Sequence, residues 1–313
     1  MAVFITGAGG FLGQSLVNTL IAQGKKVLAF DYSSPAQEVI DGWKGKAEFR
    51  QGDIRDRAAI AGLVAESGST DPIVHLAGIL TAGCDRDPQA AVAVNWGGTF
   101  NLLEAALANG KRRVVLASTI GVYGRGLPQP ITEDMATEPD GWYGVTKLMA
   151  EQTGLLYHRR HGLDFRAVRF AAVTGSGRKA ATGSASLFTS YIPEKAALGE
   201  PYAIEVTPDT SYPVVYIKDA VDSLVKLMTA PRAERRIYNI SSGNVVVEKM
   251  VAEVKKRIPT AQFSYKPDPT IMAVVEGYKT WTIDCRRAKE DLGWVPTYSV
   301  DRMVEDIIAS TKK

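Results

Sequence analysis

Cysteine and histidine are scarce: the 313 residues include two cysteines, Cys84 and Cys285, and three histidines, His75, His158 and His161. The cysteines are far apart and form no Cys-x-x-Cys pair, which argues against a disulfide framework and against a zinc site. His158 and His161 fall on one helical face, but no carboxylate or cysteine pattern joins them, so no metal is expected. Long apolar runs are missing as well. No stretch reaches the roughly 20 residues needed to cross a bilayer. The opening MAVFITGAGG has no charged start, extended apolar stretch or cleavage site, so a soluble, cytoplasmic protein is expected. Charge of one sign is also lacking, because 37 basic residues are interspersed with 34 acidic ones for a formal net charge of +3. Without a basic block or an aromatic-basic stripe, neither nucleic acid nor membrane is an expected partner. The chain is long enough to bury a large core, as one enlarged domain or as two that share a cleft.

Short β-rich runs alternate with helical stretches through the first half. AVFIT and KVLAF read as strands, with FLGQSLVNTLIAQG between them as a helix ended by Gly24. AEFRQGD, PIVHLAG, RRVVLAS and DFRAVRF continue the strands, and residues 56–66, 88–109 and 143–161 read as helices. This alternation predicts an α/β fold whose parallel sheet is covered by helices on both faces. After Phe170 the texture changes. AAVTGSGRKAATGSAS is rich in small residues with weak periodicity and reads as an irregular substrate-side loop. A helix around 184–198 should follow, then a strand and helix in YPVVYIKDAVDSLVKLMTAP, a strand in RRIYNIS, and helices at 245–258 and 286–292. The expected division is 1–170, with 211–241 returning to it, and a smaller, discontinuous α/β lobe from 171–210 and 242–313.

VFITGAGGFLGQSL places Gly7, Gly10 and Gly13 at the turn from the first strand to the first helix. Glycine suits that turn because the chain must reverse tightly, bring backbone N–H groups to a pyrophosphate and pack the helix close to the sheet. Asp31 ends the second strand about 20 residues on, where a carboxylate can accept hydrogen bonds from ribose hydroxyls. A turn or cap role is the plainer alternative. The following YSS has no arginine for a 2′-phosphate, which favours NAD over NADP. These features define a Rossmann-type doubly wound sheet. GDI at 52–54 then falls at the next strand end, with Asp53 facing the adenine amino group and Ile54 its ring.

DGWYGVTKLMAE sets Tyr143 and Lys147 four residues apart at the start of a helix. Neighbours at that spacing share a face, so a protonated Lys147 can stabilise the anion of Tyr143 and make it a proton acceptor. Tyr191 and Lys195 repeat the spacing, but Pro193 between them argues against a regular helix through both.

Taken together, TGAGGFLG at 6–13, HLAG at 75–78, VNWGGTFNLLEAA at 94–106, STIGVYG at 118–124 and YGVTK at 143–147 resemble the extended short-chain dehydrogenase/reductase family, the NAD-dependent epimerases and dehydratases, over nearly the whole chain. The resemblance implies that Tyr143 is the catalytic acid/base. Lys147 would lower its pKa and hold the nicotinamide ribose, and Thr119 would polarise the reacting oxygen with Ser118 assisting. It further implies that Phe11 and Leu12 in the glycine loop, and Leu76, Ala77 and Gly78, line the NAD site. Asn95 would tie a helix to the framework, and Phe170 would lie by the nicotinamide. Helices 88–109 and 143–161 commonly pair across a two-fold axis in this family, so a homodimer is expected.

The family includes nucleotide-sugar epimerases as well as dehydrogenases of small alcohols. Epimerases usually carry an arginine-led RDF or RDY where this chain has TSYPVVYIKDAV, and a diphosphate without that cation would be poorly compensated. The stretch is instead similar to the short-chain type of L-threonine 3-dehydrogenase, as are HLAGILTAG and TWTIDCRRAKEDLGW. Thr81, Thr119, Tyr143, Thr182 or Ser184, and Trp281 would then line a compact pocket, with packing as the alternative for Trp281. The substrate loop departs from the GTTDY common in those enzymes: ATGSASLF has no acidic residue to meet an amino group. Arg178 and Lys179 there can hold a carboxylate or can be solvated loop charges. Three readings follow. The first is NAD-dependent oxidation of a secondary hydroxyl on threonine, a hydroxy acid or a sugar acid. The second is an epimerase or dehydratase that uses NAD transiently, and the third is a non-catalytic NAD-binding relative.

Overall fold

The computed structural model describes residues 2–68, 71–110, 112–179 and 185–312. Six strands, β1 (Val3–Thr6), β2 (Val27–Asp31), β3 (Ala47–Gln51), β4 (Ile73–His75), β5 (Val114–Thr119) and β6 (Phe165–Phe170), match the apolar runs of the first half. They form one parallel sheet in the order β3-β2-β1-β4-β5-β6, and a later strand, Ile237–Ile240, closes its far edge beside β6. Most of these strands are buried on both faces, which is why they read as unbroken apolar runs instead of alternating ones. The order reverses direction between β1 and β4. In a doubly wound sheet that point opens a crevice beyond the strand C-termini, where ligands bind.

Helices α1 (Phe11–Ala22), α2 (Gln37–Trp43), α3 (Arg57–Glu66), α4 (Thr81–Arg86), α5 (Pro88–Ala91), α6 (Gly98–Ala108) and α7 (Trp142–His161) connect these strands. The single helix expected over 88–109 is divided, because Val92–Gly97 form a π-helical segment between α5 and α6. A wider turn leaves the apolar spacing nearly unchanged, so periodicity does not register it, and such segments concentrate at functional sites.

Beyond β6 the chain forms β7 (Ala172–Thr174), α8 (Phe188–Ala197), β8 (Tyr202–Ile204), β9 (Ser211–Tyr216) and α9 (Ile217–Thr229), most of them in a second lobe. After β10 (Ile237–Ile240) come β11 (Gly243–Val246), α10 (Val247–Arg257), β12 (Phe263–Tyr265), α11 (Pro269–Val275), α12 (Arg286–Leu292) and α13 (Val300–Thr311). Of the stretch 211–241 expected to return to the first domain, β10 joins the main sheet and α9 packs with α1. Strand β9 lies instead in a small sheet ordered β11-β9-β7. The expectation at Pro193 is overturned, because α8 runs through Tyr191, Pro193 and Lys195. Phe188, Ile192, Pro193 and Ala196 are all buried there, and that packing outweighs the lost backbone donor.

Polar ties fix α7 on the sheet. Glu151 of α7 is buried against the Arg169 guanidinium of β6 at 2.7 Å, and Arg169 also donates to Tyr123 Oη, which donates to Asn239 Oδ1. Every member of this buried set has a partner, as a charge pair removed from water requires.

Candidate active site

The glycine loop is built by backbone contact. Gly7 has φ +74°, and a Cβ on it would lie 2.5 Å from Ala77 N, so glycine lets the turn after β1 touch the turn after β4. A Cβ on Gly13 would lie 2.1 Å from Gly7 O, which holds α1 against the loop. Asp31 Oδ2 accepts from Gly9 N at 2.9 Å and Oδ1 accepts from Ser33 N at 3.0 Å. The turn role of Asp31 is therefore real, and a carboxylate with about four acceptor positions retains capacity for ribose hydroxyls. These are the features a dinucleotide needs: an open glycine cradle at a helix N-terminus and an acid at the end of β2.

Other residues expected at the cofactor have varied settings. Asp53 is gripped by Arg55, whose Nε lies 2.9 Å from Oδ2, and the guanidinium holds the carboxyl below its usual range. Ile54 is buried against Gly98, and Phe170 is buried in the core beneath the sheet end. Phe11 and Leu12 start α1 and pack toward the core of the second lobe. Leu76 and Ala77 are half-buried and Gly78 is exposed, all directly beyond β4. A Cβ on Gly78 would sit 3.0 Å from Asn95 Oδ1 and 3.4 Å from Lys147 Nζ.

Asn95 comes from the π-helical segment and bridges three pieces of chain. Its Oδ1 accepts from Ile79 N at 2.7 Å, and its Nδ2 donates to Ile79 O at 3.1 Å and Thr146 Oγ1 at 3.0 Å. Beside it, Lys147 is 3 % exposed. Its ammonium donates to Ala117 O at 3.0 Å and stands 5.9 Å from the centre of the Tyr143 ring. Burial pushes the Lys147 pKa down to about 8. Burial also holds the Tyr143 phenol above its ordinary value, with Cys84 acting in the same direction. Desolvation of the phenol opposes the acidification of Tyr143 by Lys147 expected from the sequence. The ammonium is committed to a carbonyl and lies over the ring, and desolvation of the phenol prevails.

Thr119 ends β5, and its Oγ1 accepts from Gly121 N at 3.0 Å, leaving the hydroxyl proton to donate outward. Gly144, the residue after Tyr143, packs so tightly on this turn that a Cβ would meet Gly121 O at 2.2 Å. Strand β5 and helix α7 thus bring Thr119 and the Tyr143 backbone to one glycine. Ser118 is buried, with no hydrogen-bond partner for Oγ among the described residues.

The expected substrate residues are less uniform. Thr81 is exposed at the start of α4. Trp281 is 4 % exposed, packed between Tyr123 at 6.4 Å and Tyr278 at 4.7 Å between ring centres, so the packing alternative describes its setting. Arg178 is half-buried, donates to Ser186 Oγ at 3.1 Å and lies close to Tyr212 and Tyr191; burial brings its pKa down to about 10. Lys179 is exposed, and Thr182 and Ser184 lie outside the described residues. Cys84 is fully buried, its thiol raised to about 11 by desolvation, as suits a small packing residue beneath the site. Sequence reasoning missed Tyr278, whose hydroxyl lies 3.9 Å from the Cβ position of Gly121. No motif marked it, since an aromatic in a loop-rich segment declares neither its depth nor its direction.

Residues 3–241 match the model of the NAD dependent epimerase/dehydratase family, and the chain belongs to that family. It is accordingly an NAD-dependent enzyme of the extended short-chain dehydrogenase/reductase type. Among its relatives, mitochondrial L-threonine 3-dehydrogenase of Bos taurus is 30 % identical over 311 residues, covering 98 % of this chain and 81 % of that one. The structure of L-threonine dehydrogenase from Phytophthora infestans superposes with TM-score 0.88 and 30 % identity over 100 % of this chain and 99 % of that chain. UDP-glucose 4-epimerase from Thermotoga maritima has the same fold, with TM-score 0.86 and 24 % identity over 100 % of this chain and 99 % of that chain.

Proposed function

We propose that this enzyme oxidises a secondary hydroxyl on a small polar substrate, such as threonine, another hydroxy acid or a sugar acid. The observation that carries this is that the Gly121 turn, beyond the C-terminal end of β5, holds Thr119 Oγ1 and packs against Gly144, next to Tyr143, over whose ring Lys147 lies. Thr119 Oγ1 donates a hydrogen bond to the substrate oxygen. Tyr143 Oη takes the hydroxyl proton as the carbon–oxygen bond becomes a carbonyl, and the Lys147 ammonium favours the phenolate that does so. Bound NAD would supply the hydride acceptor for the same carbon. The glycine turn, Asp31, the backbone at Leu76 to Gly78 and Lys147 are the groups that would hold it.

A small substrate is supported by β9. Where a nucleotide diphosphate would need a cation, Tyr212 is buried between Phe188 and Tyr278, with ring centres 6.2 and 5.3 Å away. The nearby Arg178 suits one carboxylate. Transient oxidation of a sugar nucleotide is the alternative reading, with Arg178 beside Tyr212 and Tyr191 as its candidate cation.

Net NADH formation separates the two readings. Purified protein given NAD and a panel of L-threonine, hydroxy acids, aldonates and free sugars is expected to accumulate NADH stoichiometrically, and Tyr143→Phe to lose that activity while still binding NAD. Conversion of a nucleotide sugar without net NADH would replace the dehydrogenase reading with the epimerase one. Full activity in Tyr143→Phe would remove the proposed base.

We infer, separately, that the protein forms a homodimer through α6 and α7. Phe100, 37 % exposed on α6, packs on Trp96 of the π-helical segment, and Trp142, 44 % exposed, and Leu156 are exposed on α7, the kind of apolar surface that marks association. Sedimentation at micromolar concentration is expected to give a dimer, and Phe100→Glu a monomer. A cytoplasmic location is likewise an inference: among the described residues no helix is long and apolar enough to cross a membrane, and the Bos taurus relative is named as mitochondrial. Imaging of a tagged chain in its own cells tests it.

A further inference from the structure

We propose that Tyr278 is a third hydroxyl of the active site, a substrate-contacting residue that determines which small hydroxylated molecules are accepted. The inference rests on the dehydrogenase reading above and adds to it a class of substrate, one with a second polar group close to the reacting carbon.

The geometry centres on Gly121. Its amide holds Thr119 Oγ1 at 3.0 Å, and its carbonyl is what a side chain on Gly144, next to Tyr143, would strike. On the remaining side, the Cβ position of Gly121 lies 3.3 Å from Thr119 Oγ1 and 3.9 Å from Tyr278 Oη. The two hydroxyl oxygens therefore stand no farther apart than those two contacts laid end to end. A molecule hydrogen-bonded at one end to Thr119 spans that interval if it carries a polar group two bonds from the reacting carbon, as the carboxylate of a 3-hydroxy acid does.

Tyr278 is built to hold that position. It closes the short 3₁₀ turn Glu276–Tyr278, and its ring is fixed by Tyr212 at 5.3 Å and Trp281 at 4.7 Å. Gly277 lets the Arg125 side chain close over the turn, since a Cβ there would meet Arg125 Nε at 3.2 Å. Trp281 is enclosed behind this ring, whereas Tyr278 keeps an accessible edge. Burial raises the phenol's pKa, so it remains a neutral donor. A phenol so placed donates to a carboxylate without adding charge.

The test is kinetic. Tyr278→Phe keeps the ring and removes only the hydroxyl, and Trp281→Phe serves as the packing control. With L-threonine and L-3-hydroxybutyrate at saturating NAD, Tyr278→Phe is expected to raise KM roughly tenfold or more, the scale of one lost hydrogen bond to a charged group. Its kcat should change less, with NAD affinity and Tm held, because binding common to ground and transition states has been removed. A KM within twofold of the parent overturns the proposal. If the parent forms no NADH with either acid but converts UDP-glucose, the dehydrogenase reading fails, and the same KM comparison on that sugar judges Tyr278 by itself. Where turnover is too slow to measure, calorimetric titration of the two acids into the NADH complex decides: about tenfold weaker binding supports the role, and unchanged or undetectable binding in both proteins overturns it.

Discussion

Two helical turns of this protein carry a tyrosine and a lysine four residues apart, and their local geometry is almost the same. Lys147 Nζ lies 5.9 Å from the centre of the Tyr143 ring, and Lys195 Nζ lies 5.8 Å from that of Tyr191. Their surroundings are opposed. Lys147 is buried, hydrogen-bonded to a carbonyl, and has its pKa pushed down to about 8. Lys195 is 32 % exposed, paired with Glu200 at 2.6 Å, and has its pKa raised by that hydrogen bond. Spacing along a helix therefore specifies which side chains are neighbours and leaves their chemistry open. Chemistry follows from what else surrounds the pair, here Thr119, Asn95 and Gly78 at one turn and solvent with a carboxylate at the other.

Replacing each tyrosine should break the likeness most sharply. Tyr143→Phe is expected to lower kcat by about 10²- to 10⁴-fold, the range for removal of a general base, whereas Tyr191→Phe should stay within about twofold on the same assay of NADH formation. The lysines come next. Lys147→Met is expected to weaken NAD binding and lower kcat by about 10²-fold, at the foot of the same range, and Lys195→Met should change neither. Equal losses at the two turns would mean that burial is not what distinguishes them.

The pH dependence gives a smaller and more specific contrast. Lys147 has a folded pKa of about 8 against an ordinary 10.5, so between these values the unfolded chain binds more protons than the folded one. The penalty for burying the charge is present in full below pH 8 and is relieved as pH rises toward 10.5, so this group makes stability rise with pH there. Activity should move the other way, because the ammonium is the working form. In the parent, kcat/KM for NAD is expected to fall above about pH 8, and Lys147→Arg, which cannot deprotonate, should flatten that limb. Denaturation midpoints across the same range should rise in the parent and lose that slope in Lys147→Met. An alkaline limb unchanged in Lys147→Arg would assign it to another group.

Much of the fold was legible because its causes are local. Gly7 and Gly13 were readable because a backbone turn and a close helix approach exclude any side chain, and the strands because a doubly covered sheet needs unbroken apolar runs. Tyr143 and Lys147 were readable as neighbours for the same reason. The remainder depended on contacts between distant segments. Pro193 lies within α8 because the second lobe's core packs that helix, and Asn95 is aimed by a π-helical segment whose apolar spacing looks like ordinary helix. Trp281 and Tyr278 are three residues apart in one irregular segment, and nothing local decides which ring faces the cleft and which supports it. The raised Tyr143 phenol was hidden likewise, since desolvation is a property of the assembled site.

The smallest expected effect bears on the comparison most directly, because it removes the feature that most visibly separates the two lysines. Glu200→Gln takes away the carboxylate beside Lys195 and leaves a lysine over a tyrosine ring with no acidic partner from that pair, as at Lys147. Both members of the pair are substantially exposed, so stability should change by less than about 1 kcal/mol, the usual worth of a surface ion pair. The Lys195 pKa should fall toward that of a free lysine and no further, because solvent still reaches the ammonium. NADH formation should be unaffected. If NMR titration instead placed Lys195 near the value of Lys147 after this one change, the missing carboxylate would be the cause of the depressed pKa, and the argument from burial would have to be withdrawn.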